Sequence, residues 1–403
     1  MSLRALLGAS LAGARCMTRI AYFGHDASDS AIRRRVQAFR DDGLEVVGFM
    51  KRRADDVKTA WENVDLGRTF DGAYLQRIKS VFDGARRAAA ERERLASADI
   101  IVARSMEMVA TAFLAKRYAG LKTPVIYECL DVHRLLTRHD PIGFVFRRIE
   151  GALLDRCSRL VVSSPGFLDN HFARHHKGRY KAIVLENKNA AGADYGARPS
   201  REIEPVSLAS PLRIGWMGVL RCSRSLDLLL GVAGQFKDRV RIEMHGMPAA
   251  REIPDFETRI AGFDNVAFHG RYRSPEDLAA IYAGVDIVWA GDFMEAGYNS
   301  VWLLPNRIYE GGYYAVPAIA PSGTQTSKWI EAHGVGFSEP EDLAATLPAL
   351  VARLLDDRAP IAERRARLLA LPDDTFIHQP GAHRAIIEEA LADPHPRHAS
   401  RGA

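Results

Sequence analysis

The chain is short of cysteine, long apolar runs and net charge, and each shortage removes a class of protein. Four cysteines stand apart in 403 residues (Cys16, Cys129, Cys157 and Cys222), with no C-x-x-C pair. That spacing excludes a disulfide scaffold or a thiolate metal knuckle and suits buried thiols in a reducing compartment. No stretch approaches the roughly 20 apolar residues that a membrane-spanning helix needs. Formal net charge is only +5, and no basic stretch interleaved with aromatics is present, so nucleic acid is not an expected partner.

What is there is the balance of a globular protein, 47% hydrophobic and 26% charged, on a chain long enough for two α/β cores. Its basic residues gather early, in Arg33-Arg34-Arg35, Lys51-Arg52-Arg53, Arg86-Arg87, Arg92 and Arg94. They read either as solvated helix faces or as an attraction to an anionic membrane surface. Residues 1–16 carry an apolar stretch too short and weak for a signal region, and Met17 is the expected start of the folded chain.

From Arg19 onward, short β-rich runs alternate with segments of helical period. The runs Arg19–Phe23, Leu44–Phe49, Asp99–Ala103, Pro124–Glu128, Arg159–Ser163 and Ala182–Leu185 predict one parallel sheet with helices on both faces. Between the second and third runs, 71–96 reads as one long helix with Leu75, Ile78 and Phe82 among its apolar positions. The segment 190–210 is rich in Ala, Gly, Pro and Ser and reads as a linker. The alternation then restarts with Leu212–Met217, Val240–His245, Val266–His269, Val285–Ala290 and Pro317–Ala320. The expected organisation is a domain over 17–189, a linker, a second domain over 211–375, and a C-terminal helix and tail over 376–403.

Ligands of open α/β sheets bind beyond the carboxyl ends of the strands, so chemistry is sought in the loops after each run. The densest constellation follows Leu304. Pro305 can open a helix that brings Asn306, Arg307 and Glu310 onto neighbouring positions. Glu310 reads either as an exposed carboxylate paired with Arg307 or as a group accepting both hydroxyls of a ribose. After the Pro317 run, Ser322-Gly323-Thr324 offers amides at a helix start, an anion site. In the earlier stretch Gly215-Trp-Met-Gly218-Val-Leu-Arg221-Cys-Ser-Arg224, a glycine turn with two arginines suits a diphosphate. In the first half, Asp131 and His133 follow an apolar strand and can take a hydroxyl proton; Asp26, beside Gly24 and His25, is similarly placed.

The Leu304 constellation resembles the P-N-K-x-x-E-x-x-x-x-G-x-P signature of the family-4-like glycosyltransferases of the GT-B superfamily, bacterial exopolysaccharide enzymes above all. The resemblance implies two facing Rossmann-like domains. It places a nucleoside-diphosphate sugar on the second domain and a saccharide or lipid-linked saccharide acceptor on the first. It also puts Glu310 on the donor ribose. Arg224 falls on the family's diphosphate-binding lysine, and Arg221 compensates for Val219, which stands where the family has arginine. Gly270 and Arg271, in Asn265–Leu278, match a turn that meets the base, and Asn187 matches an asparagine leading out of the first domain. The family's E-x7-E pair is broken, because Trp302 stands where its first glutamate would be; Glu295 or Asn299 nearby are the candidate substitutes. No D-x-D motif stands in a strand-end loop, Asp131-Val-His133 being nearest. The expectation is therefore a metal-independent hexosyltransferase with no resident cofactor, cytoplasmic or peripheral at the inner membrane face. Two rivals stay open: a nucleotide-sugar epimerase or hydrolase on the same fold, and a non-catalytic nucleotide-sugar-binding protein.

Overall fold

The computed structural model describes residues 17–53, 57–68, 74–199 and 207–394. The expectation for residues 1–16 lies outside the described residues, as do 200–206 of the linker and 395–403 of the tail.

Two parallel sheets carry the fold. The first holds β1 (Arg19–Gly24), β2 (Glu45–Arg52), β3 (Glu62–Arg68), β4 (Ile100–Arg104), β5 (Val125–Cys129), β6 (Arg159–Val162) and β7 (Ala182–Val184), in the order β3-β2-β1-β4-β5-β6-β7. The second holds β8 (Leu212–Leu220), β9 (Val240–Pro248), β10 (Val266–Phe268), β11 (Ile287–Trp289), β12 (Ala318–Pro321) and β13 (Gly336–Glu339), in the order β10-β9-β8-β11-β12-β13. Each sheet is doubly wound, its strand order reversing beside its first strand, between β1 and β4 and again between β8 and β11. The strands β1, β4 and β11 at the reversals are largely apolar because both faces are covered, whereas β9 alternates and exposes Arg241. Along β11, Ile287 and Trp289 enter one core while Val288 enters the other.

By packing, the chain divides into two compact units, 1–128 with 152–160 and 380–403, and 129–151 with 161–379. Within the first, the helix Ala382–Ala392 is held at its start by Asp42. That carboxylate accepts the amides of Gly381 at 2.7 Å and His383 at 2.8 Å.

Several elements differ from the sequence reading. The described part of 71–96 is two helices, Tyr74–Ala90 and Arg92–Ala96. The first packs through Gly84, Ala85 and Ala88, small enough to approach the helix Met106–Tyr118, and leaves Ile78 and Phe82 exposed. β3 and β13 are strands the alternation did not predict. β3 is a sheet edge, and its mostly polar sequence ENVDLGR gives no apolar run.

Of the early cations, Arg35 is buried against Glu128, and Lys51 is buried against Glu107 and Ser80. Arg52 meets Asp65, Arg53 meets Asp26, and Arg94 meets Glu62 and Glu91. Arg35 and Lys51 are therefore structural, while Arg53 and Arg94 make their pairs on the surface.

Candidate active site

The second sheet presents its open edge where the topology reverses. Gly218 within β8, Gly246 in β9 and Gly270 after β10 all have positive φ, at 106°, 140° and 73°. Gly218 and Gly246 are register partners, and the Gly246 amide donates to the Gly270 carbonyl at 2.7 Å. A Cβ on Gly246 would lie 1.7 Å from the Gly218 oxygen, so only glycine permits this approach; over Gly218 and Gly270 the space is open. The three residues form a shelf of bare backbone. The expected glycine turn is corrected here: β8 runs on to Leu220, and Gly218 lies within it because it pairs with Gly246.

Arg221 follows on the short connection to the helix Ser223–Phe236, and across the reversal Asp292 follows β11. Asp292 is buried, and its Oδ2 accepts both Nε and Nη2 of Arg221 at 3.0 Å. Burial alone would raise the Asp292 carboxyl, but Arg221 and the Met294 amide hold it below its ordinary value. Burial likewise opposes the Arg221 charge, and Asp292 and Asp131 more than restore it. Arg224 lies in the first turn of its helix with its guanidinium 4.4 Å from the Phe293 ring centroid.

The turn after β12 supplies fewer free amides than expected. Ser322 donates its own to the Glu339 carbonyl at 2.7 Å, because β13 pairs there. Gly323 takes φ 78°, and Thr324 caps the helix Gln325–His333 by accepting the Ser327 amide at 3.0 Å. Glu310, in the helix Asn306–Tyr313, is buried rather than exposed and accepts the Tyr282 hydroxyl at 3.0 Å. Tyr282 is held well above its usual pKa by burial and by that carboxylate. Arg307 donates to the Trp289 carbonyl at 3.1 Å, and Asn306 opens the helix behind Pro305. Arg271 is exposed beside Met247.

Trp302, at the position of the family's first glutamate, is a packing residue. Its carbonyl accepts the Ser164 hydroxyl, and a Cβ on Gly166 would come 2.5 Å from that oxygen. Asn299 clamps the Val132 backbone, accepting its amide at 2.9 Å and donating to its carbonyl at 2.8 Å, and it also donates to Glu295. That clamp fixes the loop bearing Asp131, which is exposed, and His133, which is half-buried. His133 Nδ1 accepts the Leu135 amide at 3.2 Å, so the neutral ring carries its proton on Nε2 and offers a donor there rather than a base. Glu295 also lines a cavity of about 670 Å³ with Arg134, Arg138, His139, Asp140 and Tyr298.

In the other unit, Gly24 ends β1, and His25 lies 3.7 Å from Asp29, the cap of the helix Ser30–Asp41. Asp26 is buried: its Oδ1 accepts the amide and hydroxyl of Ser28 at 3.0 and 2.7 Å, and its Oδ2 meets Arg53 at 3.4 Å. Those contacts make it a loop-holding carboxylate. Back in the unit of the second sheet, Asn187 is half-buried in the segment after β7. Among the described residues one group offers metal-ligand geometry, Glu150 with His171 and His176. There Glu150 Oε2 accepts from both Nε2 atoms, at 2.6 and 2.8 Å, and the three close on one another as a buried hydrogen-bonded cluster.

A succinoglycan biosynthesis protein of Rhizobium meliloti, ExoL, is 36% identical to this chain over 354 residues, 85% of this chain and 87% of that protein. The chain belongs to the family of this succinoglycan biosynthesis protein. Its two doubly wound parallel sheets are both Rossmann-like. Solved structures share the fold at low identity. Anabaena HepE, solved with UDP, matches at 14% identity and a TM-score of 0.66, over 93% of this chain and 100% of that one. Sucrose-phosphate synthase from Thermosynechococcus elongatus matches at 13% and 0.71, over 93% and 99%. WaaG, a glycosyltransferase involved in lipopolysaccharide biosynthesis, matches at 15% and 0.59, over 91% and 99%. No protein-family model matches the chain.

The sequence reading missed Gly246 and Asp292. Both carried a signal, since each stands within two residues of the end of a predicted strand, Val240–His245 and Val285–Ala290. The Val132 clamp by Asn299, 167 residues away, carried none.

Proposed function

We propose that the chain is a GT-B glycosyltransferase that takes a sugar from a nucleoside-diphosphate sugar and passes it to a saccharide or lipid-linked saccharide acceptor. The setting is the cytoplasmic side of an anionic membrane, during assembly of a succinoglycan-like polysaccharide. The observation that carries the donor site is the bare glycine shelf beside a charged Arg221 at the β8/β11 reversal. Open space above bare backbone suits a nucleotide diphosphate, which side chains would crowd out. Arg221, oriented by Asp292, would meet the charge that develops on the leaving diphosphate, with Arg224 and the start of the helix Gln325–His333 beside it. Preorganised charge of this kind needs no resident cation. Glu310 and Asn306 would serve the ribose and sugar. Of the expected proton acceptors, Asp131 is the exposed carboxylate and lies within electrostatic reach of Arg221.

The UDP bound by HepE and the name of the ExoL relative choose the first assay: a uridine-diphosphate sugar panel with saccharide and lipid-linked acceptors, with and without EDTA. Acceptor-dependent transfer that EDTA leaves within about twofold is expected. Donor breakdown without acceptor would move the hydrolase reading ahead, and binding with no product would move the binding-protein reading ahead. Loss of transfer in EDTA, restored by added Mg²⁺, would sink the metal-free mechanism.

A further inference from the structure

Over residues 142–150 the helix Pro141–Leu154 is inverted, with Arg147 and Glu150 inside and four large apolar side chains outside; Leu153 and Leu154 at its end are buried. Of the thirteen large apolar residues exposed among the described residues, four lie within eight consecutive positions of this helix. They are Ile142 (48% exposed), Phe144 (59%), Val145 (52%) and Ile149 (44%). At 3.6 residues per turn these four and Arg148 fall on one arc of about 160°. The inward face instead carries Glu150, fully buried under His171 and His176, and Arg147, whose Nη1 donates to the carbonyls of Leu136 and Arg138 at 2.8 and 2.6 Å.

That inward charge fixes the helix in place. Rotating it to hide Phe144 would expel a buried carboxylate from its two imidazoles and strip Arg147 of its acceptors, both costly. Burial pushes the Glu150 carboxyl up, yet the two histidines bring it down to about 2, so the carboxylate is ionised near neutral pH. The apolar face is therefore held outward by the fold. A contiguous exposed patch of this kind marks an interaction surface.

The charge around it selects the occupant. Arg148 stands on the face itself, its guanidinium 6.0 Å from the Phe144 ring centroid. Along the margin runs the segment Ala173–Lys181, which carries Arg174, Lys177, Arg179 and Lys181 and no acidic residue. It is joined to the helix through His176 on Glu150, and the Arg179 guanidinium lies against Gly151, where an added Cβ would meet it at 2.8 Å. An apolar stripe with a basic border is the pattern of a helix lying in the interface of an anionic bilayer. A second copy of this chain would bring the same cations against one another.

We infer that the outward face of the helix Pro141–Leu154, bordered by Arg148 and the basic segment 173–181, seats the enzyme on an anionic lipid surface. The cavity lined by Arg134, Arg138 and His139 opens just ahead of that helix, whose first turn is capped by Asp140. An acceptor anchored in the bilayer would present its polar head there. The inference rests on the membrane-acceptor reading above, and it assigns the contact to this helix rather than to the early arginines.

Flotation of the full chain with vesicles of phosphatidylcholine, alone and mixed with phosphatidylglycerol, tests it. The native protein should float with the mixed vesicles and far less with phosphatidylcholine. The double variant Phe144→Asn/Ile149→Asn should bind at least about tenfold more weakly. Lys177→Glu/Arg174→Glu should abolish the preference for the anionic vesicles. Should the double variant melt early, Phe144→Trp supplies an independent readout: its fluorescence should shift to the blue on adding the mixed vesicles. No vesicle binding by native protein, equal binding by the double variant, or an unshifted spectrum in Phe144→Trp would each overturn the surface. So would a native dimer that Phe144→Asn/Ile149→Asn turns into monomer. Flotation needs neither donor nor acceptor, so intact transfer to a soluble saccharide alongside failed flotation would remove the surface and leave the glycosyltransferase reading standing.

Discussion

Both sheets reverse their strand order beside their first strand, yet the two reversals are furnished in opposite ways. At the first, the space between β1 and its neighbours is filled by the protein's own charges. Glu128 is fully buried, accepting Arg35 at 2.6 Å through one oxygen and both Arg104 and the Tyr22 hydroxyl through the other, at 2.8 and 2.9 Å. At the second, the corresponding edge is three glycines with bare backbone beside the ion pair of Arg221 with Asp292. The same winding thus serves as a structural lock in one sheet and as an open shelf in the other. A reversal point is a place where ligands can bind, and the side chains decide whether one does.

The largest effect should come from the lock. Glu128→Ala would strand two buried guanidinium groups and cost about 3–5 kcal/mol of stability, measurable as a lower urea midpoint. Its turnover per folded molecule should stay near native; a collapse of turnover in protein shown to be folded would break the comparison. The same carboxylate carries an acid sensitivity. Burial would raise its pKa, but Arg104 and Arg35 hold it at about 2, against about 4.5 for an ordinary glutamate. A depressed carboxylate contributes stability that is complete above about pH 4.5 and is lost as the pH falls toward 2. The urea midpoint should therefore fall steeply across that window, and less steeply in Glu128→Gln.

At the shelf, the effect should appear in rate rather than stability. Arg221→Ala removes the charge set to meet the leaving diphosphate, and transfer should fall by roughly 10²–10³-fold, about 2.7–4 kcal/mol. Because Asp292 is then left buried without its partner, Arg221→Ala/Asp292→Asn is the cleaner comparison and should restore stability without restoring rate. Native turnover in either variant would show that the second ion pair is a lock too.

How much of this was legible beforehand follows from the range of each interaction. β1, β4, β8 and β11 stand in the sequence as apolar runs, because a strand covered on both faces must be apolar along its length. β3 did not, since a polar edge strand is defined by its neighbour β2 rather than by its own pattern. Arg221 was legible as a basic residue near a strand end, but Asp292, which orients it, lies 71 residues on. Glu310 was found by its motif, while its burial under Tyr282 depends on a helix 28 positions back. Ile78 and Phe82 misled because a helix that packs through Gly84, Ala85 and Ala88 leaves its larger residues in water.

The smallest effect is also the most local test of the shelf. Gly270 and Gly120 have nearly the same backbone, φ 73° and 69°, and an added Cβ at either would meet nothing within 4 Å. Alanine at either position should thus carry a similar strain, about 1 kcal/mol, from the left-handed conformation alone. Gly120 ends the helix Met106–Tyr118 in the first unit, whereas Gly270 borders the proposed donor site. Both variants should therefore melt slightly early and by similar amounts. Only Gly270→Ala should also raise the donor KM, by severalfold, since its methyl group would enter the space a nucleotide needs. Equal donor KM values in the two variants would mean that the open volume above β10 is not where the donor lies. The shelf would then shrink to Gly218 and the Arg221 side of the reversal.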